Sequence, residues 1–177
     1  LALLVARETA LAGGGALQFR AGLVHDDSDR EPGSLSPLLA LERTFPSNSA
    51  LQRLHLSATR ATQLPSYTAL ASSASAGLFR GNPRLGRAAA TTVEAGAAFR
   101  WAGWETAASA FARADRRLVD WTFRRGVTAR SASPMDVDVA GFEAQARRSW
   151  GRAAVILGYT ALTKDDTYRV AGVDASF

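Results

Sequence analysis

Residues 91–101 read Thr91-Thr92-Val93-Glu94-Ala95-Gly96-Ala97-Ala98-Phe99-Arg100-Trp101. Thr91, Val93, Ala95, Ala97, Phe99 and Trp101 fall on one side of an extended chain, and Thr92, Glu94, Gly96, Ala98 and Arg100 on the other. Successive side chains of a strand point to opposite faces, so this stretch predicts a strand with one apolar and one polar face. The pattern returns on either side. At 51–62, Leu54, Leu56 and Ala58 oppose Arg53, His55, Ser57 and Thr59. At 137–147, Phe142, Ala144 and Ala146 oppose Gly141, Glu143, Gln145 and Arg147. At 17–24, Leu17, Phe19, Ala21 and Leu23 oppose Gln18, Arg20 and Gly22. Residues 153–163 repeat it with a polar face of mostly small residues, and 1–9, 35–45 and 104–115 follow it less regularly.

The result is about eight strands of roughly 9–12 residues, the length that crosses a bilayer when tilted. Soluble strands are usually nearer five or six residues. The connections alternate in length. Gly13-Gly14-Gly15, Pro46-Ser47-Asn48-Ser49, Ala102-Gly103 and Gly151 mark short turns. Longer polar stretches lie between them, at about 26–34, 63–90 and 116–135. Bacterial outer-membrane barrels alternate short periplasmic turns with long extracellular loops. Hairpins are therefore expected at Ala102-Gly103 and Trp150-Gly151, with the long loops at the opposite end. Phe45, Phe99, Trp101, Trp104 and Trp150 collect beside the short turns, as in an aromatic girdle at one membrane interface.

Composition narrows the classes. No run approaches the 18 apolar residues of a membrane-spanning helix. The chain has no cysteine, which removes disulfide frameworks and thiolate zinc sites. Its net charge is +5, but the basic residues come as scattered pairs such as Arg116-Arg117 and Arg147-Arg148, interleaved with acids, and not as the single stripe of a nucleic-acid interface. The chain opens on Leu1-Ala2-Leu3-Leu4-Val5 and stops on Val173-Asp174-Ala175-Ser176-Phe177. Both ends are expected to be cut within strands, making residues 1–177 one partial barrel. A soluble β-sandwich or solenoid shares the periodicity, but Arg53, Glu94, Arg100, Glu143 and Arg147 on the polar face suit a wet lumen better than a packed interior. A complete eight-stranded barrel is disfavoured by the two ends.

The loop before residue 91 carries a resemblance. Leu64-Pro65-Ser66-Tyr67-Thr68-Ala69-Leu70, followed by Gly77-Leu78-Phe79-Arg80-Gly81-Asn82-Pro83-Arg84-Leu85-Gly86, resembles the P-S-[FY]-x-x-L … G-N-P-x-L-x-P-E pattern of TonB-dependent outer-membrane receptors. Glu94-Ala95-Gly96 resembles the E-x-G of the family's next strand. Ala110-Phe111-Ala112-Arg113 through Leu118-Val119-Asp120-Trp121, Gly141-Phe142-Glu143 and Leu157-Gly158-Tyr159-Thr160 are similar to later strands, in the same order. Gly86-Arg87 stands where the family has Pro-Glu, and Ala112 where it usually has an aromatic. The overall pattern is closest to the cobalamin-receptor-like members.

The resemblance implies an all-β, antiparallel transmembrane barrel of 22 strands, of which this chain is about eight from the C-terminal half. The N-terminal plug domain and the TonB box lie outside it. It also implies active uptake of a scarce nutrient, an iron–siderophore complex or cobalamin, energised through the partner TonB, in the bacterial outer membrane among lipid and lipopolysaccharide. A non-transporting adhesin or structural barrel is the alternative.

No enzyme motif and no cofactor motif is found, and no nucleic-acid partner is expected. His25 and His55 have no evident partner in sequence and are expected at a loop edge or in a lumen. Asp26, Asp27 and Asp29, with Ser28 and Glu31, place oxygen ligands at short spacing. Calcium prefers such clusters, and some cobalamin-type receptors hold calcium in outer loops. The spacing is not that of an EF-hand and Arg30 opposes a cation, so a solvated acidic loop is expected and no metal is assigned. Trp121, Phe123, Arg124, Arg125 and Arg130 fall in the expected extracellular loop 116–135. Guanidinium groups beside aromatics suit an anionic small-molecule ligand, or the phosphates of lipopolysaccharide.

Overall fold

The computed structural model describes residues 1–169. They form β1 (Ala2–Ala10), β2 (Ala16–Asp26), β3 (Ser34–Thr44), β4 (Leu51–Gln63), a one-turn helix α1 (Tyr67–Ala71), β5 (Phe79–Arg80), β6 (Ala88–Trp101), β7 (Trp104–Phe123), β8 (Arg130–Trp150) and β9 (Ala153–Tyr168). The protein is all-β. The long strands follow one another as an antiparallel meander, β1-β2-β3-β4-β6-β7-β8-β9. The two residues of β5 pair in parallel with the start of β8. Among the described residues β1 pairs only with β2, and β9 only with β8, so the sheet is open.

Turn chemistry fixes the short connections. Ala102 (φ 49) and Gly103 (φ 80) make a two-residue turn with both φ positive, the twist that suits a tight hairpin. The next short turn falls at Gly151-Arg152 and not at Trp150-Gly151, because Trp150 still pairs with Ala153. The 63–90 connection is residues 64–87, as expected in place, but it carries α1 and β5.

The third long loop is a correction. Residues 116–135 were expected to be loop, yet β7 runs to Phe123 and β8 starts at Arg130, leaving only 124–129 as the tip. Asp115 and Leu118 face Val137 and Met135, so β7 carries a bulge between them. Arg117 sits in that bulge at φ 58, its N–H donating to Asp136 Oδ1 at 2.8 Å. With 20 and 21 residues, β7 and β8 are far longer than the expected 9–12.

Register assigns the faces as the alternation predicts. One cross-strand row runs Phe19, Leu41, Leu56, Ala95, Ala110, Phe142. The adjacent row runs Gln18, Glu42, His55, Gly96, Ser109, Glu143. Arg53 and Arg100 share the polar face, and Val93, Ala97, Phe99 and Leu54 the apolar one. The apolar face is uncovered: Leu56 is 50% and Phe142 43% exposed. The buried core lies instead at the loop end, where Ala69 and Leu85 pack on Ala132 with Val119 and Trp121 beside them. Ala132 and its neighbour Ser133 are both buried. Consecutive strand residues point opposite ways, so both faces of the sheet are covered there.

Candidate functional site

The apolar face has a charged border that is oblique to the strands. Arg7 on β1 belongs to the row of Phe19 and Phe142. Arg43 on β3 lies one apolar-face position further toward the short turns, in the row of Leu54 and Ala144. Arg148 on β8 lies three such positions beyond Phe142, in the row of Trp101 and Trp104. From Arg7 the border has therefore dropped two residues after two strands and six residues after six. A drift of one residue per strand, with about 3.3 Å per residue and 4.8 Å between strands, is a line inclined by roughly 35°.

Phe45, Phe99, Trp101, Trp104 and Trp150 gather along that line, Trp104 and Trp150 edge to face at 6.0 Å. Its counterpart toward the loops is Arg116 on β7, Asp138 on β8 and Asp165 on β9, Arg116 bonding Asp138 at 2.7 Å. Between the borders on β8 stand only Ala140, Phe142, Ala144 and Ala146 on this face. Arg60 on β4, exposed, is the one charged residue inside the band among the described strands.

The polar face carries paired charges. Arg53 meets Glu42 at 3.8 Å, Arg100 meets Glu105 at 3.3 Å, and His55 Nε2 meets Glu94 Oε1 at 3.1 Å. Gly96 makes room for the His55 ring, which occupies the space a Cβ would take. His55 thus sits on the polar face as expected, and His25 at the loop end of β2.

At the loop end, 64–87 is a built element. Ser66 Oγ accepts from Ala69 N at 3.2 Å and caps α1. Asn82 is the hub of the motif quoted above. Its N–H donates to the Ala69 carbonyl at 2.7 Å, its amide to the Ala132 carbonyl at 3.4 Å, and its Oδ1 accepts from Arg84 N at 3.0 Å. A Cβ on Gly81 would lie 2.6 Å from the Ser72 carbonyl oxygen, so only glycine lets these backbones meet. Loop 27–33 is tied to it. Glu31 accepts the Arg87 N–H at 2.9 and 3.0 Å, buried Arg87 reaches Asp26, and Arg30 donates to the Pro83 carbonyl at 2.8 Å. The sequence names Glu31 only within an acidic loop, Asn82 only within the quoted motif and Arg87 only as a departure from it; nothing local relates the three.

The candidate ligand residues are divided. Trp121 is drawn into packing, edge to face with Phe79 at 5.2 Å. Arg130 lies over Phe123, 5.7 Å from the ring centroid. Arg124 and Arg125 stand exposed at the hairpin tip, which is closed by Val127 N to the Arg124 carbonyl at 2.9 Å. Asp26, Asp27 and Asp29 do not converge: the Asp26 carboxylate goes to Arg87 and Asp27 Oδ1 accepts from Ser28 N. Among the described residues no three His, Cys, Asp or Glu side chains gather as a metal site.

Asp136 gives this end a pH dependence. Its carboxyl is held below the ordinary value, first by the Arg169 guanidinium, bonded at 2.6–3.1 Å, against an opposing effect of burial and with help from the Arg117 N–H. A depressed carboxyl contributes stability that is complete above its unfolded pKa, about 3.9 for Asp, and is lost as pH falls through the lower folded value. Amide exchange at Thr167 and Tyr168 is therefore expected to keep constant protection down to about pH 4 and to weaken below it. Asp136→Asn is expected to show the weakened protection already at neutral pH. Equal protection of both proteins across the titration would remove this role.

No family model matches the chain, and no curated protein matches it.

Proposed function

We propose that this chain is wall and outer loops of a bacterial outer-membrane β-barrel, and that the barrel is a TonB-dependent receptor for a scarce nutrient. The observation that carries the reading is the oblique band. The ten residue steps from Asp138 to Arg148 span roughly 33 Å of strand, and a tilt of about 40° turns that into roughly 25 Å, the height of a barrel's apolar belt. The 35° inclination, obtained independently from Arg7, Arg43 and Arg148, is the tilt of barrel strands against the membrane plane's normal. A soluble sheet has no reason to shift its charged border by one residue per strand. Arg60, three residues inside, is long enough to carry its guanidinium to the interface.

The open edges of β1 and β9 would leave unsatisfied backbone groups in lipid, at several kcal/mol each. The reading therefore requires further strands beside them, and 22 is the number the receptor family uses. The ordered motifs from Leu64 to Thr160 support the receptor class, with Asn82, Gly81 and Ser66 holding structural positions that explain their place in the pattern. Arg124 and Arg125, at the tip of the longest hairpin, are then the first cations an anionic nutrient or lipopolysaccharide meets. Plug, TonB box and the energising partner belong to the complete receptor.

Depth decides the membrane reading. Phe19 and Phe142 share one cross-strand row, so a strand normal to the membrane would place both at one depth. With the inclined band, a label at Phe142 lies about 14 Å farther from the short-turn interface than one at Phe19, from five strand spacings of about 4.8 Å, which puts it near the midplane while Phe19 stays close to that interface. Quenching of single-cysteine labels by brominated lipids in vesicles, using the full-length polypeptide, measures this. Equal depths, or labels reached by aqueous quenchers, would refute it. Nutrient uptake that persists in cells lacking TonB would instead leave the barrel and remove the receptor class.

A further inference from the structure

At the short-turn border of the apolar face, Arg148 is enclosed by aromatic rings. Its guanidinium carbon lies 4.9 Å from the Trp150 ring centroid and 5.7 Å from that of Trp104. The turn closes a third side: a Cβ on Gly103 would be 3.6 Å from Arg148 Nε. The acids of the adjoining segments, Glu105 and Glu143, project from the opposite face. Arg148 is thus a cation flanked by rings, and among the described residues no carboxylate on its own face lies nearer than Asp138, ten residues away.

We propose that Arg148, with Trp104 and Trp150, binds the phosphodiester of a phospholipid headgroup. The site rests on reading the apolar face as lipid-facing. A cation–π contact takes up no N–H of the guanidinium, and its N–H fork is the group that grips phosphate oxygens in pairs. Indoles settle at headgroup level, with rings in the hydrocarbon and N–H groups wet. An arginine on the lipid face is tolerated near the interface and strongly disfavoured at the midplane. Those conditions coincide at the depth of phosphate. Short turns are periplasmic in outer-membrane barrels, and the leaflet there is phospholipid, so the ligand is a phospholipid and not lipopolysaccharide. Arg43 over Phe45, 4.6 Å from the ring centroid, repeats a simpler form of the arrangement on the same oblique line, four strands away.

The test is native mass spectrometry of the full-length polypeptide in mild detergent, titrated with phosphatidylglycerol, with membrane insertion followed in parallel by protease protection in vesicles. The wild type is expected to retain a phospholipid through detergent exchange. Arg148→Gln is expected to weaken retention about tenfold or more, Trp150→Ala to weaken it, and Arg148→Lys to fall between, since the charge remains while the planar fork is lost. Arg147→Gln, one residue away on the polar face, is expected to leave retention unchanged. Inserted variants that all retain lipid like the wild type would overturn the site while sparing the lipid-facing reading; a wild type that does not insert would overturn that reading itself. Displacement by excess inorganic phosphate, or preference for lipopolysaccharide, would overturn the assignment to a phospholipid.

Discussion

With the apolar face against lipid, as proposed, Phe142→Arg is expected to destabilise the protein by roughly 2–4 kcal/mol, the cost of a basic residue on a lipid face near the bilayer midplane. Phe142 stands six residues from the short-turn border at Arg148 and four from the loop-side border at Asp138, so its guanidinium would have to desolvate or climb a long way to water. Glu143→Arg, one position along the same strand, changes charge by more but lies on the polar face beside Ser109 and Thr160. Its expected effect is below about 1 kcal/mol, as for an exposed charge. Urea titration in vesicles, read by tryptophan fluorescence, compares them. The lipid-facing assignment fails if the two substitutions are equally mild, or if Glu143→Arg is the worse.

The glycine turn between β1 and β2 should be as sensitive at one position and indifferent at another. Gly15 has φ 81, and a Cβ there would overlap the Thr44 carbonyl oxygen and approach Phe45 Cα to 3.0 Å. Both obstacles are backbone, so neither can rotate away. Gly15→Val is expected to cost about 3 kcal/mol or more, from roughly 1–3 kcal/mol of left-handed backbone strain and a comparable overpacking penalty. The turn would also lose the bond from Ala16 N to Thr44 Oγ1, now 2.9 Å, that ties it to β3. Gly14, at φ 82, meets only the Pro46 ring at 3.0 Å, and about 1 kcal/mol is expected for Gly14→Ala. Gly13 meets nothing within 4 Å and carries no positive φ, so Gly13→Ala is expected to be neutral. The same titration ranks the three; a flat ranking would mean that the turn adopts another conformation.

Periodicity made the strands between residues 91 and 115, and between 137 and 163, legible because their two faces differ in polarity. Where that difference ends, the signal ends. Beyond Arg116 and Asp138 the strands continue, but one side meets loop 64–87 and both sides are covered around Ala132 and Ser133. Polar and apolar residues are then mixed on each face, and 116–135 looked like a loop while its backbone was paired throughout most of its length. The same continuation places Trp121 on a paired strand, edge to face with Phe79.

Local chemistry in the sequence determined the alternation of faces, the tight turn at Ala102-Gly103, the aromatic residues beside the turns and the Ser66 and Gly81-Asn82 motif. These are properties of neighbouring residues and the φ values they accept. Register was decided only in the tertiary structure, because it depends on which residues of different strands stand opposite. Arg7, Arg43 and Arg148 are 141 positions apart end to end, and nothing local relates them. Pairing alone aligns them at one residue per strand, turns three separate arginines into an inclined border, and brings Arg148 between Trp104 and Trp150.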